Sequence, residues 1–331
     1  MDNRCCILSF VCIAVVAFFL VGIWGASNAQ PSPLDDVEVL RDVPFGKVNG
    51  RVLTMHIVRP KPTSSVAKPM PVIIWIHGGA WIGGSKDSGI PLLLPFAKRG
   101  YFCASMNYRF SKEAKFPAQI EDCKCAIRFL RAKAKEFNID PERIGVWGAS
   151  ADGHLAAMLG TAGDVKEFEG SGGWDGFSSR VSAVCDWFGP SDLIAMVGEQ
   201  STIDRTKSDC PEALLIGGSL LENKDKAIKA SPITYVTPDD PPFLIMHGDK
   251  DMVVPFSQSK RLFDALKKAG VEVTLVKLKG TGHGGWGFSS PQTLQLVTAF
   301  FDRHLKGDSS QWKEIVGDKR FNEIKIDVGV H

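Results

Sequence analysis

The chain has 331 residues, of which 44 % are apolar and 23 % charged, and its formal net charge is +2. This is the composition of a globular protein, and the length suits one large α/β domain or two smaller ones. The near-neutral charge, without a long run of like charges, gives no indication of nucleic-acid binding.

The first thirty residues differ from the rest. An almost unbroken apolar run, Cys5–Trp24, follows Arg4 and precedes small residues at Ser27 and Ala29. This pattern predicts a signal peptide over residues 1–29, cleaved before Gln30, and therefore a secreted or periplasmic protein. An uncleaved anchor is the alternative, and only that alternative would attach the protein to a membrane, because about 20 apolar residues can span a bilayer.

Five cysteines remain once residues 1–29 are removed, so at least one thiol stays free. Cys103, Cys123 and Cys125 lie in an apolar strand or on a helix and are interpreted as small core residues. Cys185 and Cys210 lie in or beside loops, and the sequence leaves a disulfide between them open. No Cys or His stands near Cys123 and Cys125 at ligand spacing, so no metal site is expected.

Strands and helices alternate beyond the signal, which predicts a mostly parallel sheet with helices on both faces. The predicted strands lie near Val37–Val43, Arg51–Arg59, Val72–Ile76, Tyr101–Met106, Arg143–Trp147, Val181–Asp186, Phe243–His247 and Val271–Leu278. The predicted helices are Ala118–Phe137, Ser150–Gly160, Phe256–Ala269 and Pro291–Leu305. Residues 30–331 are thus expected to form one α/β domain.

Two stretches interrupt the alternation, Gly163–Ser179 and Pro190–Pro241. Both are expected to follow strand ends, at the edge of the sheet where ligands bind. The longer one, residues 190–241, is predicted to form a small lid or cap, because about fifty residues are too many for a loop without structure of its own.

Ser150 stands where a buried strand turns directly into a helix, within Gly148–Ala151. This geometry raises a serine hydroxyl above the sheet and puts a helix N-terminus beneath the oxyanion that forms. A Gly-x-Ser alone usually caps a helix, but the strand–turn–helix context favours a nucleophile.

A serine hydroxyl needs a base, and the base needs an acid that fixes its tautomer. His283 lies in a glycine-rich loop after the last strand, which could bring its imidazole to the nucleophile. Asp251 follows a buried strand and is the predicted acid, whereas Asp249 is interpreted as a turn residue. The chain order Ser, Asp, His is that of α/β-hydrolases.

The segment His77–Trp81 follows the strand Val72–Ile76, where an oxyanion loop belongs. The predicted donors are the backbone N–H groups of Gly79, Ala80 and Ala151. Trp81 and Trp187, with Phe188, are predicted to form pocket walls, although bulky aromatic residues at strand ends are as often core.

Together these motifs resemble the α/β-hydrolase esterases, in particular secreted bacterial acetyl-xylan and feruloyl esterases of the BD-FAE type and hormone-sensitive-lipase-like carboxylesterases. The resemblance covers residues 40–305, and its specific stretches are His77–Trp81, Asn107–Arg109, Phe116–Ala118, Asp140–Gly145, Gly148–Ala151, His247–Asp251 and Gly282–Gly284. It implies an eight-stranded sheet, no metal or organic cofactor, and activity on short acyl or aryl esters, with polysaccharide esters among the candidate substrates.

Asp152 departs from the family pattern Gly-x-Ser-x-Gly-Gly, in which this position is glycine. A carboxylate in the first turn suits the helix dipole. A negative charge beside the oxyanion hole would, however, oppose the charge of the transition state, so a weakened enzyme is expected. Two further interpretations stay open: a catalytically impaired binding protein of this fold, and a serine peptidase or amidase.

Overall fold

The computed structural model describes residues 36–62, 68–317 and 324–329. The predicted signal peptide, residues 1–29, lies outside these ranges. Among the described helices, none combines the length and the apolar character that crossing a bilayer requires.

A nine-stranded sheet forms the centre of the described chain, in the spatial order β1-β2-β4-β3-β5-β6-β7-β8-β9. The strands are β1 (Val37–Val48), β2 (Arg51–Pro60), β3 (Met70–Ile76), β4 (Phe102–Met106), β5 (Ile139–Ala149), β6 (Ala183–Trp187), β7 (Phe243–Gly248), β8 (Val273–Leu278) and β9 (Ile324–Gly329). The strands from β4 to β8 in this order pair in parallel, whereas β1, β2 and β9 join antiparallel at the edges. The predicted α/β-hydrolase fold is confirmed, and β9 adds an edge strand that the sequence does not predict.

Helices cover both faces of the sheet, as the alternation predicts. They are α1 (Gly89–Lys98), α2 (Ala118–Ala132), α3 (Ala134–Phe137), α4 (Ala151–Thr161), α5 (Pro211–Ile216), α6 (Lys224–Lys229), α7 (Ser257–Ala269), α8 (Trp286–Ser289), α9 (Pro291–Phe301) and α10 (Ser310–Gly317). Apolar residues of α2, α4 and α7 belong to the core on one face, and those of α1, α9 and α10 to the core on the other. Strand β3 contributes alternate residues to each core, because successive side chains of a strand point to opposite faces.

Helix α1 is not evident from the sequence. It contains Pro91 in its first turn and Pro95 in its interior, and an interior proline removes a backbone donor and usually ends the helix. Here α1 packs Leu93 and Phe96 into the core beside β4, so burial of an apolar face outweighs the unfavourable residues.

The stretch Gly163–Ser179 does not lie where the sequence places it. It joins α4 to β6 and therefore leads to the amino end of β6, at the opposite edge from the strand ends that carry ligands. Its Glu169 carboxylate accepts from Lys124 at 2.9 Å and from Arg128 at 2.5 Å, both on α2. These contacts attach the stretch to α2. Its predicted place at the ligand-binding edge of the sheet is therefore wrong.

The insertion of residues 190–241 follows β6 and has structure of its own, namely α5, α6 and a short 3-10 turn. Its apolar side chains, such as Leu193 and Leu215, join the same core as α4. The insertion also contacts the loop after β7: Thr202 N–H donates to the Met252 carbonyl at 2.7 Å, and Arg205 donates to the Val253 carbonyl at 2.8 Å. These bonds fix the insertion beside Asp251.

Candidate active site

Ser150 occupies a sharp turn between β5, which ends at Ala149, and α4, which begins at Ala151. Its backbone has φ 60° and ψ −124°, a conformation that an L-residue adopts only under constraint. The Ser150 N–H donates to the Trp187 carbonyl at 2.8 Å, which ties the turn to the neighbouring strand β6. Gly153 allows this close approach, because a Cβ there would overlap the Asp186 side chain and the Trp187 carbonyl. The turn is therefore held by contacts on both sides of the serine.

The structure brings Ser150, His283 and Asp251 together from three separate loops. His283 Nε2 lies 2.8 Å from Ser150 Oγ, and His283 Nδ1 lies 2.7 Å from Asp251 Oδ2. The other carboxylate oxygen of Asp251 accepts from the backbone N–H groups of Val253 and Val254 at 2.8 and 2.9 Å. All of these loops follow the carboxyl ends of parallel strands, which meet at one edge of the sheet.

The charge of Asp251 decides which nitrogen of His283 carries the proton. Burial alone would raise the pKa of Asp251, but hydrogen bonds from His247 and His283 outweigh burial and lower that pKa below its usual range. An ionised carboxylate can only accept, so Nδ1 of His283 donates to it. Nε2 is then the unprotonated nitrogen and accepts from the Ser150 hydroxyl, as a general base must.

Two supporting residues, His247 and Phe188, have no such role in the sequence analysis. His247 Nε2 lies 3.2 Å from Asp251 Oδ2 and 3.0 Å from the Val254 carbonyl, while its Nδ1 lies 2.7 Å from Ser259 Oγ. Phe188 packs its ring edge-on against His283 with 4.7 Å between ring centroids. His247 therefore steadies the acid and Phe188 the base. The only sequence signal for His247 is its place before Asp251 at the end of β7.

The predicted oxyanion loop lies directly against the turn at Ser150. A Cβ at Gly78 would stand 3.1 Å from the Ala149 carbonyl oxygen. The loop is closed by the Gly79 carbonyl, which accepts from the N–H groups of Ile82 and Gly83 at 3.0 and 3.1 Å. The backbone of Gly79 has φ 146° and that of Ala80 φ 55°. The hydrogen bonds that close this turn involve the carbonyl of Gly79 and not its N–H. This arrangement is compatible with a role of the Gly79 N–H as an oxyanion donor.

Gly79→Ala is expected to lower kcat about a hundredfold, which is the loss that follows removal of one oxyanion donor. The added methyl group would overlap the Gly83 carbonyl and displace the loop. The measurement is kcat for p-nitrophenyl acetate. Gly83→Ala is the matched control, because a Cβ at Gly83 meets open space, and a comparable loss in that variant would contradict the assignment of Gly79.

Trp81 and Trp187 are core residues rather than pocket walls. Trp81 is 2 % exposed and packs edge-on against His154 at 5.1 Å. Trp187 is 6 % exposed and stacks edge-on against Trp147 at 4.8 Å on the far face of the sheet. The expectation that these indoles line a substrate pocket is therefore corrected. Trp187, the last residue of β6, contacts the site through its carbonyl, which accepts from the Ser150 N–H.

Asp152 lies in the first turn of α4 with its side chain fully buried. Burial raises the pKa of Asp152 well above its usual range. Burial therefore disfavours the charged form of this carboxyl group, which acts against the predicted opposition between its charge and the oxyanion. The expected weakening of the enzyme and the binding-protein alternative both stay predictions.

The five cysteines of the described chain are all buried and free. Cys185 lies in β6 and Cys210 precedes α5, and no disulfide joins them. The sequence leaves a disulfide between Cys185 and Cys210 open, and the structure instead buries each of them as a free thiol.

Sequence comparison identifies the family of these motifs. The BD-FAE family model matches residues 55–266. Esterase LipC of Mycobacterium tuberculosis is 32 % identical over 282 residues, which cover 83 % of this chain and 68 % of LipC. Probable carboxylic ester hydrolase LipM of the same organism is 28 % identical, over 79 % of this chain and 62 % of LipM. The chain thus spans about two thirds of the length of these curated relatives.

Solved structures give the same result. A truncated carbohydrate esterase from gut microbiota has a TM-score of 0.74 and 35 % identity, covering 81 % of this chain and 96 % of its own. Esterase 2 of the planctomycete Thermogutta terrifontis has a TM-score of 0.65 and 28 % identity, covering 81 % of this chain and 92 % of its own. Similarity in fold is thus accompanied by similarity in sequence over most of both proteins.

Proposed function

Since the chain is an ester hydrolase of the BD-FAE family, we propose that it is a carboxylesterase that works through Ser150, His283 and Asp251. The observation that carries this proposal is the continuous hydrogen-bonded path from Ser150 Oγ through the His283 ring to Asp251, with distances of 2.8 and 2.7 Å. Nucleophile, base and orienting acid are the three parts that acyl transfer to serine requires.

In the first half-reaction Ser150 Oγ attacks the acyl carbon while His283 Nε2 takes the hydroxyl proton. The oxyanion that forms is bound by the N–H groups of Gly79, Ala80 and Ala151, aided by the N-terminus of α4. His283 then donates the proton to the departing alkoxide. An alcohol leaves, and the acyl group remains on Ser150.

In the second half-reaction water attacks the acyl carbon and gives its proton to His283 Nε2. The same three N–H groups bind the second oxyanion. The imidazolium is stabilised by the ionised Asp251, and its proton returns to Ser150 Oγ as the acid leaves. Every step uses one fixed arrangement of side chains, so no rearrangement of the loops is needed during the chemistry.

A panel of p-nitrophenyl esters of increasing acyl length, run beside the matching p-nitroanilides, tests this function. Ester hydrolysis without anilide hydrolysis supports the carboxylesterase. Faster cleavage of the anilides would instead favour the serine peptidase or amidase of the same fold. If the protein hydrolysed none of these substrates and a fluorophosphonate did not label Ser150, the binding protein would be the remaining interpretation.

We also propose that the protein acts outside the cytosol, on the basis of the apolar run before Gln30. The buried cysteines are compatible with an oxidising compartment. Burial raises the pKa of the Cys103, Cys123 and Cys185 thiols, and the thiolate is the form that oxidises. Expression of the full chain in a bacterial host tests the localisation: a mature protein that begins at Gln30 supports export, and retention of Met1 would oppose cleavage.

For the alcohol side of the substrate we propose a polysaccharide or its oligosaccharides. Trp286 begins α8, three residues after His283, and its side chain is 76 % exposed. The helix is anchored beneath by Phe288, which is buried and packs on Phe188 at 4.4 Å. An exposed indole three residues from the base, on a helix that Phe288 anchors, can stack its π face on the C–H groups of a sugar ring. The name of the related carbohydrate esterase agrees with such a substrate.

Trp286→Ala is expected to raise KM for acetylated xylo-oligosaccharides about three- to tenfold, as the loss of one aromatic stacking contact predicts. The kcat/KM for p-nitrophenyl acetate should change by less than about twofold, because this substrate lacks a sugar. Phe177→Ala is the control, since Phe177 is 45 % exposed in the stretch that leads to the amino end of β6. An unchanged KM for the oligosaccharides in Trp286→Ala would oppose the stacking role.

A further inference from the structure

Asp152 connects the turn at Ser150 with the predicted oxyanion loop. Its side chain leaves the first turn of α4 and points towards that loop. A Cβ built on Gly78 would lie 3.9 Å from Asp152 Oδ2. The carboxyl group is fully buried. In the described part of the chain, the titratable side chains that face it are Tyr108, from the loop after β4, and Cys123, from α2.

This surrounding favours an uncharged carboxyl group. Burial raises the pKa of Asp152 well above its usual range, and the Tyr108 hydroxyl lowers it only in part. Tyr108 and Cys123 are themselves neutral, because burial raises the pKa of each. The partial positive charge at the N-terminus of α4 acts in the opposite direction, but it is smaller than a full charge and is outweighed by burial.

Tyr108 packs against the first residue of the oxyanion loop. Its ring stacks on the His77 ring with 5.1 Å between centroids and an angle of 15° between the planes. His77 is followed immediately by Gly78 and Gly79, and its Nδ1 lies 3.2 Å from the Gly78 carbonyl oxygen. Tyr108 and His77 thus pack together directly before the proposed oxyanion donors.

We propose that Asp152 is a positioning residue which, as a neutral carboxylic acid, holds the oxyanion loop against the turn at Ser150, and that its ionisation at alkaline pH lowers kcat. This inference rests on the proposed function. Within the described chain, both carboxyl oxygens of Asp152 are buried without a hydrogen-bond partner, and an unpaired charge is far more costly to bury than a neutral group. An ionised Asp152 would also place a full negative charge behind the position where the oxyanion forms, in a region that excludes water. Substrate binding in the ground state forms no oxyanion, so repulsion by an ionised Asp152 lowers kcat rather than raising KM.

The test compares kcat for p-nitrophenyl acetate across pH in the parent and in Asp152→Asn. Asparagine has the shape of the neutral acid and cannot ionise. The parent should lose at least about tenfold in kcat on the alkaline limb, whereas the variant should stay within about twofold of its own neutral-pH value. At neutral pH the variant should keep at least about a third of the parental kcat, with a similar KM. An alkaline limb that persists unchanged in Asp152→Asn would overturn the proposal.

Asp186→Asn is the matched control. Asp186 is a second fully buried acid near the elbow, its Oδ1 accepts from the Gly189 N–H at 2.9 Å, and burial raises its pKa to about 7. It is therefore the competing source of a pH effect. The asparagine side chain keeps an oxygen that can accept from Gly189, and Asp186→Asn should keep the alkaline limb. Loss of the limb in this variant, with the limb intact in Asp152→Asn, would assign the ionisation to Asp186 and overturn the proposal.

An infrared difference spectrum separates this inference from the proposed function. Subtracting the Asp152→Asn spectrum from the parental one at neutral pH should leave the carbonyl band of a protonated carboxyl group, and that band should vanish at alkaline pH. The measurement needs no catalysis. A parent that neither hydrolyses esters nor reacts with a fluorophosphonate would refute the proposed function while the band still reports the state of Asp152. Absence of the band at neutral pH would refute the neutral acid even in an active esterase.

Discussion

Replacing Ser150 with alanine is expected to lower kcat for p-nitrophenyl acetate by about a million-fold, the effect of removing the nucleophile from a serine hydrolase. The Ser150 hydroxyl is the group on which the acyl intermediate forms, and its proton is the one that His283 Nε2, 2.8 Å away, takes. Measurement of kcat and of labelling by a fluorophosphonate checks the result, and both should be lost together.

Ser289→Ala controls for the loss of a hydroxyl group in the same region. Ser289 lies on α8, close in sequence to His283, and its hydroxyl is exposed. The rate of this variant should stay within about twofold of the parental rate. Thermal unfolding of both variants excludes a general loss of folding. Substantial ester hydrolysis by folded Ser150→Ala would refute the covalent mechanism and point to water attack assisted by His283 alone.

The position of Ser150 could be inferred from sequence because it depends on local geometry. A buried strand that runs into a helix through Gly148–Ala151 constrains the serine to a turn, whatever the rest of the chain does. His283 and Asp251 could be inferred because parallel strands align their carboxyl ends at one edge of the sheet. The topology therefore brings distant loops together once the strands are recognised, and the structure brings these three side chains into contact.

The direction of a side chain at the end of a strand could not be inferred in the same way. Trp187 follows Asp186 in β6, and the alternation of a strand sends it into the core on the far face. Trp81 has φ 57°, and this left-handed turn directs its indole into the near core. Sequence identifies both as large aromatic residues beside functional loops, but which face they occupy depends on register and on local backbone angles.

The protonation state of Asp152 also depends on tertiary structure. Its neighbours Tyr108 and Cys123 come from the loop after β4 and from α2, far away in the chain. Read locally, a carboxylate in the first turn of a helix is expected to be ionised and favoured by the dipole. Complete burial reverses that expectation. The role of His247 could not be inferred for the same reason, because its contact with Asp251 forms only when the loop after β7 is folded.

Asp251→Asn is expected to lower kcat about ten-thousandfold while leaving the fold intact, because the amide offers a donor where His283 needs an acceptor. Both oxygens of the Asp251 side chain accept hydrogen bonds. Oδ1 accepts from the backbone N–H groups of Val253 and Val254, and Oδ2 accepts from His283. An asparagine that keeps its oxygen on the backbone donors must turn its NH₂ towards His283. Nδ1 then accepts, the proton moves to Nε2, and the ring can no longer take the proton of Ser150.

Asp249→Asn separates this effect from the loss of any acid in the same loop. Asp249 is two residues away, and its Oδ1 accepts from the Gly280 N–H at 2.6 Å, a bond that the asparagine oxygen can keep. Its kcat should therefore stay within about threefold of the parental value. Fluorophosphonate labelling of Asp251→Asn should slow in parallel with ester hydrolysis, because both depend on removal of the Ser150 proton. If Asp249→Asn were the slower enzyme, the acid of the site would be Asp249. If Asp251→Asn hydrolysed esters at the parental rate, His283 would be oriented by Phe188 and the loop alone, and the assignment of Asp251 would be wrong.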